Sequence, residues 1–337
     1  MRRVSGPGRL ATLADVAVLA GVSKATASRV LSRPELVAPE TAARVLSAAE
    51  KLGFVPNRAA RQLARGRTGV VAVVVPTLDN AFFTPIIAGA QAAAGEADLQ
   101  LTVSVHPLAG VDELSAFERL SHQVDGFIVV APRGPDDVVR AAIAHKPTVL
   151  VDREVTGASS VVADTATAFG SLVSRFIDDG RTRIAYLGGP DGSWQNVQRT
   201  AAVVEAARGR AELIVLGPYP STFEAGVRAA ADVIASGVDV VVPYATAIGL
   251  GLMFVLRGVP VDGATGPAPS GSRPVIVSSE RMVVDALGLE GVPAIDVDGE
   301  HLGRVAASRL VAALASGAAP ESTPLRLPVP VRWPAGL

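Results

Sequence analysis

From Val70 onward the chain repeats one texture: a short apolar run rich in Val, Ile and Leu, then an Ala-rich stretch with helical spacing. Candidate strands are Val70–Val75, Leu99–Val105, Gly126–Val130, Thr148–Val151, Ile184–Leu187, Leu213–Leu216, Val238–Val242 and Val275–Val277. Helical patterns lie between them, near 82–95, 112–121, 136–145, 166–179, 196–208, 222–236 and 245–257. Strands and helices alternating at this pitch predict parallel sheets covered by helices on both faces. The length suits two such lobes, with a ligand crevice outside the carboxyl ends of the strands. Gly263–Ser272, rich in Gly, Pro and Ser, reads as an exposed loop.

The first 69 residues differ in charge and pattern. They hold twelve Lys and Arg against four acids, a net +8, while the remainder carries −9, which leaves −1 for the whole chain. A small basic module joined to a larger acidic one suggests that only the first part meets a polyanion. Within it, Thr12 is placed to cap a helix whose apolar positions are Leu13, Val16, Ala17 and Ala20. Gly21 breaks that run. Ser23 is placed to cap a second short helix carrying Ala27, Val30 and Leu31. Pro39 and Glu40 open a third, with Val45, Leu46, Ala49 and Leu52 expected inward and Gly53 as its stop. The pattern fits either a generic three-helix bundle or a helix-turn-helix.

The run Thr12-Leu-Ala-Asp-Val-Ala-Val-Leu-Ala-Gly-Val-Ser-Lys-Ala-Thr-Ala-Ser-Arg-Val-Leu31 resembles the DNA-binding signature of the lactose-repressor (LacI-type) family of bacterial transcription regulators. The likeness continues through Pro39-Glu-Thr, Val45-Leu, Leu52-Gly-Phe-Val-Pro-Asn57 and Ala60-Arg-Gln-Leu-Ala-Arg-Gly66, with spacings intact. The resemblance implies an α plus α/β chain. Residues 1–56 would form a three-helix helix-turn-helix domain and 57–69 a hinge helix and linker. Residues 70–337 would form a bilobed core like that of periplasmic binding proteins, which binds effector and dimerises, with crossovers near 165, 297 and 324.

In a helix-turn-helix the second helix enters the major groove and its N-terminal residues meet base edges. Lys24, Ala25 and Arg29 are therefore assigned to base reading, Arg being the usual bidentate partner of guanine. A phosphate contact is an equal reading for Lys24. Thr12, Ser23, Thr26 and Ser28 are read as phosphate-positioning hydroxyls. As bare sequence Asn57–Arg65 reads as a basic linker. The resemblance makes it a hinge helix in the minor groove, with Ala60 and Leu63 as the apolar wedge and Asn57, Arg58, Arg61 and Arg65 near phosphates.

The resemblance also supplies cleft positions. Phe82 and Phe83 match aromatics that flank the ligand, although adjacent Phe residues are as commonly helix core. Asp152 ends a strand facing the cleft, and Asp164 matches a position tied to the hinge between lobes. Arg199 matches an arginine that grips ligand hydroxyls or a carboxylate, and Trp194 is placed to stack on a sugar or lie at the rim. Where the family shows Asn-Asp, this chain has Pro243-Tyr-Ala-Thr246, which puts Tyr244 in the candidate set. Where a Gly-aromatic-Asp-Asp run is usual it has Ser278-Ser-Glu-Arg281, with Glu280 standing in for one acid and Arg281 adding a positive charge. These departures weaken the case for a plain neutral hexose.

Other classes find little support. The chain has no cysteine, which excludes disulfides and thiolate metal sites. Its three lysines follow no phosphate loop, its four histidines have no metal spacing, and no nucleophile elbow occurs. No apolar run reaches the roughly 18–20 residues of a membrane span. Asp15 interrupts the only stretch resembling a signal peptide. The expectation is a cytoplasmic, nucleoid-associated homodimeric repressor without cofactor or metal. It would bind near-palindromic double-stranded operator DNA and a carbohydrate-related small molecule. The alternative is a family member governed by a protein partner, a nucleoside or an acidic metabolite.

Overall fold

Thr12 begins the first helix, α1 (Leu13–Ala20), through a capping box: its Oγ1 donates to Asp15 Oδ2 at 2.7 Å, and Asp15 accepts from the Thr12 N–H at 2.8 Å. Gly21, at φ +65°, closes the helix in the left-handed region. Ser23 Oγ then accepts from the Thr26 N–H at 3.0 Å and starts α2 (Lys24–Ser32). A third helix, α3 (Pro39–Lys51), opens on proline. Val16, Ala17, Ala20, Ala27, Val30, Val45, Ala48 and Ala49 make the small shared core. Leu46 and Leu52, expected inward, are exposed. Leu46 sits one residue past Val45, about 100° further round the helix, and Ala42 and Ala48 fill the inward face instead.

The computed structural model describes residues 11–32, 36–54, 67–256, 273–289 and 291–334. The chain divides into two units at Gly69 and Val70, and the helices above belong to the first. Asn57–Arg65 and the loop Gly263–Ser272 lie outside the described residues.

The second unit opens with β1 (Val70–Val75), followed by α4 (Phe83–Glu96), β2 (Gln100–Val105), α5 (Leu114–Ser121), β3 (Gly126–Val130), α6 (Asp136–Ile143), β4 (Thr148–Val151) and β5 (Ser159–Ala163). The second lobe contains α7 (Thr165–Asp178), β6 (Arg183–Leu187), α8 (Trp194–Ala207), β7 (Glu212–Leu216), α9 (Phe223–Ser236), β8 (Val240–Pro243), α10 (Thr246–Leu256), β9 (Val275–Ile276) and α11 (Arg281–Ala286). The chain closes with β10 (Ala294–Ile295), α12 (Gly299–Ser316), β11 (Leu325–Leu327) and β12 (Val331–Arg332).

A six-stranded parallel sheet runs in the order β11-β5-β4-β3-β1-β2, and a four-stranded parallel sheet in the order β7-β6-β8-β9. In β1, Val71, Val73 and Val75 pack toward α4 and α12, while Ala72 and Val74 pack with Phe117 and Phe127 on the other face. Burial on both faces explains the unbroken apolar run. The second sheet is sandwiched likewise, between Phe169, Leu172 and Phe176 on one side and Ile248 and Leu252 on the other.

Four short or weakly patterned strands and the two helices α11 and α12 are additions to the sequence reading. In β5 the pair Ser159-Ser160 hides the strand, and in α12 small residues dilute the apolar stripe. The chain passes between the lobes after β5, and again between β10 and α12. The third passage follows Leu327, a few residues beyond 324, because β11 pairs with β5 before β12 pairs with β10.

Helices α4 and α12 cross with their backbones in contact. A Cβ on Gly303 would overlap the Ile86 carbonyl oxygen, and one on Gly89 would overlap that of Glu300. We expect Gly303→Ala to destabilise the core by about 1–3 kcal/mol through overpacking, seen as a lower urea midpoint. Gly95→Ala, on α4 but facing open space, should be neutral or mildly stabilising in the same assay.

Candidate DNA-reading helix and ligand cleft

On α2 the buried residues are Ala27 and Val30, and Lys24, Ala25, Ser28 and Arg29 are exposed. These four positions share one side of the helix. A cation, a small side chain, a hydroxyl and a guanidinium therefore stand on the first turns, where base edges are met when such a helix enters a groove. The hydroxyls of Thr12 and Ser23 already serve as caps, and Ser23 Oγ also lies 2.8 Å from Thr26 Oγ1. Asn57, Arg58, Ala60, Arg61 and Leu63 lie outside the described residues.

In the second unit a cleft forms between the lobes at the carboxyl ends of the strands. Phe82, Phe83, Ala131 and Asp152 come from one lobe, Arg199, Tyr244 and Glu280 from the other. Six of the seven sequence candidates thus converge. Trp194 does not line the cleft: it stands half-buried at the start of α8, and the next residue, Gln195, faces inward instead. Asn80, Gln195, Ala245 and Ser279 complete the lining; of these Ala245 and Ser279 lie in the two departing runs, whereas Asn80, Gln195 and Ala131 were missed. A buried amide on a helical repeat gives no signal in sequence. Asp164 instead caps α7, accepting from the Thr167 N–H at 3.3 Å and Oγ1 at 2.8 Å.

Phe83 is buried in the first lobe's core and meets Phe82 edge-on, with ring centres 5.9 Å apart, so the pair joins core to cleft. Asp152 sits just past β4 at φ +54°, a conformation that Asp tolerates. Its Oδ1 accepts from the Ala163 N–H and from Gln195 Nε2, both at 3.0 Å. Arg199 is buried between two rings, 4.9 Å from the centre of Phe169 and 4.7 Å from that of Tyr244. Its Nε donates to Thr165 Oγ1 and its Nη1 to the Tyr244 carbonyl, each at 2.9 Å. Burial lifts the Glu280 carboxyl above its ordinary range, with Thr246 and Arg199 pulling it back. About 40 Å³ remains among these side chains, room for a few waters.

A wider cavity of about 490 Å³ adjoins this inner site and shares Phe82 and Glu280 with it. Asp296, Asp298 and Glu300 give it an acidic wall. Arg281 also borders it, but its guanidinium is held by Asp285 at 3.0 Å and faces Asp296 at 3.7 Å. The positive charge that the sequence seemed to add is thus largely neutralised by neighbours on its own lobe.

A helix-turn-helix with an exposed reading face, followed by a two-lobed α/β core with a polar cleft, defines a DNA-binding regulator with a sensor domain. The family model described as bacterial regulatory proteins, lacI family, matches residues 12–57. That described as periplasmic binding proteins and sugar binding domain of LacI family matches residues 68–333. The chain belongs to the lacI family of bacterial regulatory proteins. It is 31% identical over 281 residues to the HTH-type transcriptional regulator CelR of Thermobifida fusca, covering 76% of this chain and 81% of that one. It is 34% identical over 194 residues to the maltose regulon regulatory protein MalI of Escherichia coli K12, spanning 56% of each chain. Among solved structures, a CelR–cellobiose complex superposes with a TM-score of 0.65 at 26% identity, covering 96% of this chain and 98% of that one. A lac repressor dimer bound to operator and the anti-inducer ONPF shares the fold, with a TM-score of 0.77 at 24% identity and the same coverage. No helix among the described residues is long and apolar enough to cross a membrane.

Burial also holds the Asp152 carboxyl above the usual aspartate range, against the pull of the Ala163 N–H, Arg199 and Gln195. The folded protein thus keeps that proton to higher pH than the unfolded chain, and stability falls as pH rises from 3.8 through the folded-state value. Asp152→Asn keeps an Oδ1 acceptor and removes the desolvated charge. Denaturant titration should find the variant at least as stable as the parent at neutral pH, with its advantage shrinking as pH falls toward 3.8.

Proposed function

We propose that this chain is a homodimeric repressor that binds a near-palindromic operator, with affinity altered by a small effector in the core cleft. The observation that carries this reading is the exposed set Lys24, Ala25, Ser28 and Arg29 on α2, joined in one chain to a two-lobed sensor. Lys24, Ala25 and Arg29 read bases, while Thr12, Ser23, Thr26 and Ser28 position phosphates. Residues 57–69 form the hinge, with Ala60 and Leu63 as the minor-groove wedge and Asn57, Arg58 and Arg61 on flanking phosphates. The protein works in the cytoplasm at the nucleoid and performs no catalytic step.

Phe82, Phe83, Asp152, Arg199, Tyr244 and Glu280 contact the effector. The wider cavity sets Asp298 and Glu300 beside Asp296, whose carboxylate is paired with Arg281 and Arg332, so it offers carboxylate acceptors for hydroxyl groups rather than an unpaired cation for a phosphate. A neutral carbohydrate-related molecule is the class we favour, and CelR, a relative, has been solved with cellobiose. The small inner volume supports a second reading, control by a protein partner. Operator binding repeated across a panel of sugars, nucleosides and candidate proteins tests both. A tenfold change in affinity corresponds to about 1.4 kcal/mol of coupling and would identify the effector class. Failure to select any palindromic site would sink the repressor reading.

Arg29→Ala should weaken the best operator by about 1–3 kcal/mol and relax preference at one base position, as measured by competition against single-base variants. Lys24→Ala should likewise relax preference at its own base position, whereas an equal loss on all sequences with a flatter dependence on salt would move Lys24 to the phosphate contacts.

A further inference from the structure

The side chains inside the cleft join the two lobes directly. Gln195, on α8 of the second lobe, is only 4% exposed. Its Nε2 donates to Asp152 Oδ1 at 3.0 Å and to the Ala163 carbonyl at 3.3 Å, both on the first lobe. Its Oε1 accepts from Thr165 Oγ1 at 3.0 Å, and Thr165 accepts in turn from Arg199. A buried amide satisfied at both ends is a firm tie, since parting the lobes would strip its partners as well. A backbone contact lies beside it. Gly192, at φ +74°, approaches the Arg133 carbonyl of the first lobe so closely that a Cβ would stand 2.6 Å from its oxygen.

Tyr244 fills the inner part of the same space. One face of its ring lies against Gly189, where a Cβ would come within 2.5 Å of the ring. The Arg199 guanidinium stacks on the ring as well. Its hydroxyl is 2.9 Å from Ser193 Oγ, and its carbonyl holds Arg199 Nη1. The ring face and the acceptor that a ligand would offer Arg199 are thus supplied by the chain itself.

We propose that this protein latches its own cleft: Gln195 ties the second lobe to Asp152 and Ala163, while Tyr244 covers Arg199. The inference rests on the sensor reading above and adds how that sensor is set. Closure is held by protein contacts, and an effector acts by displacing the Tyr244 ring from Arg199 and so loosening the Gln195 bridge.

The chain has no cysteine, so two introduced ones are the sole attachment points for spin labels. Asp137→Cys on α6 and Val197→Cys on α8 are exposed positions, one on each lobe. Full-length doubly labelled chain is diluted with unlabelled chain so that the distances arise within one subunit. With no small molecule added, the parent should show one narrow distance population. Gln195→Met, which keeps the side-chain length but removes the amide, should broaden that population toward longer distances. Tyr244→Ala, on a different element, should do the same. A broad population in the parent, or a distribution that neither variant moves, overturns the latch. Operator binding is measured on the same samples: its absence in the parent refutes the regulatory reading, while the distances still decide the latch.

Discussion

The cleft is organised around one buried guanidinium. A cation removed from water is costly unless its donors and its faces are occupied, and Arg199 has both. Thr165 and the Tyr244 carbonyl take hydrogen bonds, and the rings of Phe169 and Tyr244 lie against the guanidinium. Each of these partners comes from a different part of the second lobe: the start of α7, the interior of that helix and the end of β8. Satisfying Arg199 therefore fixes how the first crossover, α8 and the β8 strand end are arranged. Asp152 and Glu280 lie in its field, which pulls both carboxyls back toward ionisation while burial pushes them the other way. Burial outweighs that pull for both carboxyls, which are held above their ordinary ranges.

The strands that are buried on both faces were easy to read, because a run such as Val70–Val75 has few other uses in a chain that alternates with helices. Caps were equally plain: Thr12 and Ser23 precede helices because their oxygens can accept orphan backbone N–H groups. Legibility failed where side-chain type and burial part company. Leu46 is apolar and exposed, whereas Gln195 is polar and buried. The serines of β5 and the glycines and alanines of α12 carry little hydropathy, yet these two elements complete the first lobe. Six cleft candidates came together because family resemblance marked the strand ends. Gln195 went unread beside Trp194 because neighbouring residues on a helix face different ways, and sequence alone did not say which faced in.

The charge split along the chain has a structural counterpart in each unit. On α2 the exposed residues include two cations and no acid, a surface suited to a phosphate backbone. In the core, acids gather around the wider cavity, and the arginines nearby are paired with them: Arg281 with Asp285 and Asp296, and Arg332 with Asp296 at 2.9 Å. The near-zero net charge of the whole chain therefore conceals a basic first segment, net +8, and an acidic remainder, net −9.

The three passages between the lobes are tied to one another, the Asp164 N–H to the Leu327 carbonyl at 2.8 Å and the Asp296 N–H to the Pro330 carbonyl at 2.9 Å. One chain segment could twist, and two could shear, but three side by side act as a strap hinge and leave chiefly one motion, a change of angle. The first lobe would move as a stiff plate, because α4 and α12 touch backbone to backbone at Gly89 and Gly303. Such a mechanism converts events inside the cleft into rotation rather than expansion, and its output is largest at the points farthest from the hinge.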